Sequence, residues 1–332
     1  MKKITVCLLV MLATRTVASD SLLVKNLVFE GAGIRGIAYC GALMELDEHH
    51  MLDSVTHVAG TSSGAITACL YSVGYTPQEI FDIIGDTDFG AFNDGRFGAA
   101  GGMVRVKKKL GWYKGEKFLT WLEKLIAAKT GSTETTFSQL RDKAQSDSHF
   151  KELVVAATSL NHQCSVYFST ATYPHMRLAD AVHASMAVPL YFEPVVIDSI
   201  GTVIPLDEMT TQHHLCVDGG FTANYIINYF DMDTSAQTLG MRIDSDDQIA
   251  NDRGSRELAY QHINSPGDFV QAFYYITKEN LNRSMLTEAD WHRTVSISDT
   301  QLGPKVKRLS DTEKQQLVKA GRDGVKQYLA ER

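Results

Sequence analysis

Two glycine turns near the start of this 332-residue chain constrain its fold more than any other feature. The first, LVFEGAGIRG at 27–36, sets Gly31, Gly33 and Gly36 between an apolar run and a helical pattern. The second, HVAGTSSGA at 57–65, does the same with Gly60 and Gly64. Lys25 to Glu30 and Val55 to Ala59 read as short buried strands. Arg35 to about His50 and Ser63 to Val73 carry apolar residues at helical spacing, the second run closed by Gly74. A β-α-β-α order puts a helix into each connection, which is what parallel neighbours need. The expected class is α/β, with a central, largely parallel sheet covered by helices.

The rest of the chain extends this pattern. Residues 85–111 read as loop, broken by seven glycines and interrupted by RVKKK. Gly115 to Lys129 is amphipathic and reads as a helix laid on the sheet. LVVAA at 153–157 and SVYFS at 165–169 read as strands, and Leu178 to Met186 as a helix stopped by Val188-Pro189. Leu215 to Asp218 is a strand running into Gly219-Gly220, and Leu239 to Ile243 is another. Beyond about residue 255 the text turns helical and polar, over 256–263, 266–286 and 311–331. With no proline-rich linker, the expectation is one catalytic domain over 25–245 and a helical C-terminal extension, 246–332, packed on it.

Charge narrows the function classes. Lys and Arg number 32 against 39 Asp and Glu, a net charge of −7 with no basic block, so nucleic acid is not an expected partner. Lys2 and Lys3, the apolar stretch Ile4 to Ala13 and the small residues of Thr16-Val17-Ala18 fit a secretory signal peptide over 1–18, cut before Ser19. That predicts a secreted or cell-envelope protein; without the leader it is cytoplasmic. Cys7 lies in the leader, and Cys40, Cys69, Cys164 and Cys216 form no metal-binding spacing. They read as buried free thiols, with a pair of disulfides as the alternative for an exported chain. Neither a metal nor a cofactor is expected.

What do the glycine turns hold? G-x-G-x-x-G after a strand is a dinucleotide signature only when an acidic residue follows about 20 positions on. Here the second strand ends in HVAGTSSGA, with no carboxylate. It carries instead G-x-S-x-G, Gly60-Thr61-Ser62-Ser63-Gly64, where a sharp turn would lift Ser62 from the sheet at a helix N-terminus. A serine nucleophile needs a base and an oxyanion-binding donor set. The N–H groups of Gly31, Ala32 and Gly33 form an anion-binding concavity that suits the second need. Asp218, at a strand end before Gly219 and Gly220, suits the first.

The order EGAGIRG, GTSSG and DGG resembles the patatin-like lipid acyl hydrolases. GWYKGEKFLTWLEKLI, TFSQL, ELVVAATSLN, VYFS, RLADAVHASMAVPLYFEPV and VDGGFTANYIIN are similar to that family's intervening segments, in order, over about residues 25–245. The resemblance implies a three-layer sandwich and a Ser-Asp dyad, with Ser62 as nucleophile, Asp218 as proton acceptor, and Gly31, Ala32, Gly33 and Arg35 around the oxyanion hole. It implies metal-independent hydrolysis of phospholipid or other acyl-lipid esters and peripheral contact with a membrane; the sequence names no protein activator. Ala32 stands where the family usually has glycine, which restricts φ while keeping the N–H. Ile226 stands near a position where the family often has proline.

Three other readings fit parts of the sequence. An α/β-hydrolase triad would use Ser62, Asp218 and His262 or His292. A lipid-binding or storage protein would keep the fold without turnover. A nicotinamide enzyme would need the missing carboxylate. Lys107, Lys108 and Lys109 read either as a solvated loop or as a contact for anionic lipid.

Overall fold

The computed structural model describes residues 23–332 except 96–97, 235–236, 256, 284 and 303–307. The leader-like segment 1–18 lies outside the described residues. Strand β1 (Asn26–Phe29) leads through a 3-10 turn (Gly33–Ile37) to α1 (Ala38–Glu48), and β2 (His57–Thr61) leads directly to α2 (Ser63–Ser72). Helices α3 (Pro77–Asp86) and α4 (Gly98–Lys109), strand β3 (Gly111–Tyr113), α5 (Glu116–Thr130) and α6 (Phe137–Ser146) follow. Then come β4 (Glu152–Ser159), β5 (Cys164–Phe168), α7 (Leu178–Met186), β6 (Leu190–Phe192), β7 (Val195–Ile197), β8 (Val203–Ile204) and β9 (His214–Asp218). The chain closes with α8 (Asp231–Thr234), β10 (Thr238–Asp244), α9 (Asp246–Arg253), α10 (Pro266–Arg283), α11 (Glu288–His292), β11 (Thr294–Ser298) and α12 (Asp311–Ala330).

Nine strands form one sheet, in the order β11-β10-β1-β2-β4-β9-β7-β8, with β5 on the second edge of β4. From β11 to β4 every pairing is parallel, and β9, β7, β8 and β5 are antiparallel. Successive side chains divide two cores, as strand alternation requires. Leu27, Phe29, Val58, Leu153, Val155 and Ala157 face the larger one, with α1, α2 and α12. Val28, Ala59, Val154 and Ala156 face the smaller one, covered by Ala223, Tyr225, Ile226 and Ile227. The result is a three-layer α/β sandwich. Helix starts follow local chemistry: Thr76 with Glu79, Thr136 with Gln139, Thr287 with Asp290 and Ser310 with Glu313 each close a capping box.

Three expectations need correction. Residues 85–111 are not simply loop, because α4 forms across the glycine-rich stretch. Gly102 sits flush against the Trp112 ring, where a Cβ would overlap it, and Arg105 Nε donates to the Trp112 carbonyl at 2.8 Å. Residues 246–332 are not a purely helical appendage. β11 pairs in parallel with β10 inside the central sheet, and residues 257–264 are not helical. α12 crosses α1 so closely that a Cβ on Gly41 would overlap the Val318 backbone, and one on Gly321 the Ala38 carbonyl. The third concerns the thiols. Cys40, Cys69 and Cys216 are buried and unbridged, while Cys164 is exposed and also free. Burial pushes the thiols of Cys69 and Cys216 up to about 12, which keeps them protonated and unreactive.

Candidate active site

The sheet register brings the two motifs together. β2 pairs with the first half of β4 in parallel, ending at Thr61 opposite Ala156. β9 pairs with the second half antiparallel, ending at Asp218 opposite Ala157. β5 occupies the other edge of β4 over 155–159, so β2 and β9 share one edge and run head-on toward each other. Their carboxyl ends meet at neighbouring residues of β4, and Ser62 and Asp218 meet with them. The Ser62 hydroxyl donates to Asp218 Oδ2 at 2.5 Å.

Each partner is held from several sides. Ser62 has φ 53° and ψ −124°, a left-handed region costly for a non-glycine residue. Its N–H donates to Ser185 Oγ at 2.8 Å, and Ser185 Oγ donates to the Ala156 carbonyl at 2.6 Å. Gly60 and Gly64 permit the elbow: a Cβ on Gly60 would overlap the Gly64 carbonyl, and one on Gly64 the carbonyls of Phe29 and Glu30. Asp218 is buried; its Oδ1 accepts from Gly220 N–H at 2.7 Å and its own N–H donates to the Ala187 carbonyl at 2.9 Å. Gly219 is needed because a Cβ there would overlap the Ala156 carbonyl. Met186 Sδ lies 3.8 Å from Ser62 Oγ.

Helix α7 supplies Ser185 and Met186, and it also carries the half-buried His183, whose Nε2 is shielded from solvent. Among the described residues His183 Nε2 has no hydrogen-bond partner. Burial pushes this imidazole below its ordinary pKa, against the opposing pull of Asp180 and Asp94. The folded protein therefore takes up this proton only at lower pH than the unfolded chain, whose imidazole is protonated below about pH 6.5. The contribution of this group is fully present above that pH and is lost as pH falls further. His183→Leu is accordingly expected to gain stability relative to wild type between about pH 7.5 and about pH 5.5, read as the difference in urea midpoints. Parallel pH curves for the two proteins would sink this assignment.

The residues expected around an oxyanion are partly committed elsewhere. Gly31 N–H donates to the Asn224 carbonyl at 3.1 Å, and Ala32 N–H donates to Ser63 Oγ at 3.0 Å. Gly33, exposed with φ 59°, opens a 3-10 turn whose far end, Gly36 and Ile37, is buried. Gly36 packs against Ser63. Arg35 Nε donates to the Ala32 carbonyl at 3.0 Å, and its Nη1 pairs with Asp299 Oδ2 at 3.2 Å. Neither histidine of the triad alternative is placed here. His262 is exposed with its ring against Tyr260, and His292 is exposed on α11.

Sequence reasoning missed the second ring of contacts. Asn224 Nδ2 donates to Glu30 Oε1 at 2.8 Å, and its N–H donates to Asn282 Oδ1 at 2.6 Å. Asn282 Nδ2 returns to the Gly220 carbonyl at 3.1 Å. Thus α10, from the C-terminal extension, joins the Gly31 turn to the Asp218 turn. Asn224 and Ser185 stand in the segments FTANYIIN and HASMAVP; nothing local marks Asn282.

A family model described as patatin-like phospholipase matches residues 27–231, more than half of the chain. The chain belongs to that family. Lipid hydrolysis is the general activity this membership carries. Among its relatives, protein R571 of Acanthamoeba polyphaga mimivirus is 28% identical over 315 residues, covering 92% of this chain and 94% of that protein. A protein named probable lipid hydrolase 463L, of Invertebrate iridescent virus 6, is 27% identical over 172 residues, or 52% of this chain and 56% of that one. The crystal structure of VipD from Legionella pneumophila superposes with a TM-score of 0.55 at 17% identity, covering 92% of this chain and 67% of VipD. ExoU in its heterodimeric complex with SpcU, from Pseudomonas aeruginosa, gives a TM-score of 0.53 at 16% identity over 93% of this chain and 51% of that one. At such identities these structures speak for the patatin fold alone.

Proposed function

We propose that this patatin-like protein is a lipid acyl hydrolase of the phospholipase A or lysophospholipase type, acting through a Ser62–Asp218 dyad and an acyl-serine intermediate. The 2.5 Å hydrogen bond from Ser62 Oγ to Asp218 Oδ2, in a strained elbow, carries this reading. Ser62 Oγ attacks the ester carbonyl while its proton passes to Asp218. The proton then goes to the leaving alcohol, and water, deprotonated by Asp218, cleaves the acyl-serine ester and frees the fatty acid. The oxyanion is assigned to the start of the 3-10 turn with the Gly33 N–H as donor, because the Gly31 and Ala32 N–H groups are bonded within the protein. Gly31 and Ala32 shape that turn through their own hydrogen bonds, and Arg35 stiffens it through the Ala32 carbonyl. One such donor is worth about 3 kcal/mol in the transition state. Peripheral contact with a lipid surface belongs to this reading; among the described residues no helix is long and apolar enough to cross a membrane.

The test is fatty-acid release from phospholipid vesicles in excess chelator, with a soluble short-chain ester in parallel. Wild type is expected to cleave both, and His262→Ala and His292→Ala are expected to retain most of the rate. Loss in either histidine variant would favour a triad. A wild type inert on both substrates would sink the hydrolase reading and leave lipid binding. Export through the 1–18 leader is part of the proposal, and a mature chain beginning at Ser19 is its expected sign.

A further inference from the structure

Beside the site the chain builds a small cap whose backbone is bent to expose leucine. β3 and β6 pair in parallel with Gly111 opposite Leu190. Leu110 and Leu190, neighbours across this pair, both have positive φ, 62° and 65°. Bulky residues rarely take that conformation, and it persists only where the surroundings hold it. Here Tyr113 packs on Tyr191 and Tyr191 on Phe192, with ring centroids 5.0 and 4.9 Å apart, and Tyr191 OH donates to Asn93 Oδ1 at 2.7 Å. Yet the two leucines gain no burial: Leu110 is 43% and Leu190 65% exposed.

Helix α4 runs directly into Leu110 and carries further exposed apolar residues. Gly102 and Arg105 face inward onto Trp112. Met103, Val104, Lys107 and Lys108, spaced i, i+1, i+4 and i+5, therefore share the outer side. Met103 is 62% and Val104 54% exposed, and both lysines are exposed. Lys109 is paired with Asp207 at 3.7 Å and Lys114 with Glu116 at 3.0 Å, whereas Lys107 and Lys108 have no ion pair among the described residues. The patch is close to the chemistry. Met186 touches Ser62, Ala187 holds the Asp218 N–H, and Leu190 follows Ala187 by three residues, at most roughly 11 Å along the chain.

We infer that Met103, Val104, Leu110 and Leu190, with Lys107 and Lys108, form the surface by which this chain seats on an anionic lipid bilayer. This rests on the acyl-hydrolase reading and adds to it a docking face and a preference for negatively charged lipid. Apolar side chains enter the headgroup boundary while the lysines meet the anionic heads. The net charge of −7 would oppose such a surface, so the attraction is local to this helix.

The test is flotation of the chain beginning at Ser19, the expected mature form, with phosphatidylcholine vesicles and with the same vesicles containing phosphatidylglycerol. Wild type is expected to bind the anionic vesicles more tightly. The double variant Lys107→Gln/Lys108→Gln is expected to lose about 30-fold in partitioning onto anionic vesicles only. The double variant Leu110→Asn/Leu190→Asn, chosen because asparagine tolerates left-handed φ, is expected to lose about 10-fold on both. Both variants are expected to cleave the soluble ester as wild type does, so a failure of the surface is distinct from a failure of the dyad. Equal wild-type binding to both vesicles, variants that bind like wild type, or a wild type that floats with neither would each overturn the inference. In the last case, a dimer lost in the leucine variant would make a second copy the occupant.

Discussion

Ser62→Ala is expected to lower fatty-acid release by about 10⁴-fold or more, and Asp218→Asn by a comparable factor. Alanine removes the attacking oxygen. Asparagine keeps an oxygen for the Gly220 N–H but cannot accept the serine proton, so the 2.5 Å hydrogen bond loses its chemical purpose. Because the two groups act as one unit, the double variant is expected to be no slower than the slower single one. Stability should change by no more than about 2 kcal/mol, since each partner keeps its backbone hydrogen bonds. Single-turnover release on vesicles, run beside urea unfolding, separates the two effects. A tenth of wild-type activity surviving in either variant would end the dyad assignment.

How these two residues meet was not legible, although each was. Ser62 and Asp218 announce themselves by local steric demands, because the glycines around them are positions where a Cβ would strike backbone. Their meeting depends on β2 and β9 sharing one edge of β4 from opposite directions, a long-range register that no local pattern encodes. The resemblance implies Arg35 beside the oxyanion hole; its ion pair with Asp299, 264 residues away, had no local signal. The same blindness hid α4, whose glycines disfavour helix until Trp112 packs against Gly102. It also hid β11, five residues that become a strand only beside β10. The polar text beyond about residue 255 read as helix packed on the catalytic domain, with no sign of what it buries. Part of it is buried charge.

That charge centres on Arg242, and Arg242→Met is expected to destabilise the protein by about 3–5 kcal/mol. The guanidinium is 1% exposed in the middle of β10. Its Nη2 lies 3.2 Å from each of Glu30, Asp244 and Glu279, with the rings of Tyr225 and Trp291 each 5.3 Å away. Burial alone would lower its pKa; the carboxylates of Glu30, Asp244 and Glu279 outweigh that and hold it well above its ordinary value. Arg283 reaches Glu279 at 3.4 Å and also pairs with Asp252, so it cannot replace Arg242 for Glu30. Methionine would leave Glu30 buried beside the turn it supports, and Glu30 orients Asn224, which holds the Gly31 N–H. Activity is therefore expected to fall along with stability, although Arg242 touches neither Ser62 nor Asp218. Urea midpoints for wild type, Arg242→Met and Arg242→Met/Glu30→Gln check the argument. The added Glu30→Gln should recover part of the loss, because it removes the uncompensated charge and keeps an acceptor for Asn224. A cost below about 1 kcal/mol for Arg242→Met would mean that water reaches the network and that the extension holds the glycine turns by packing alone.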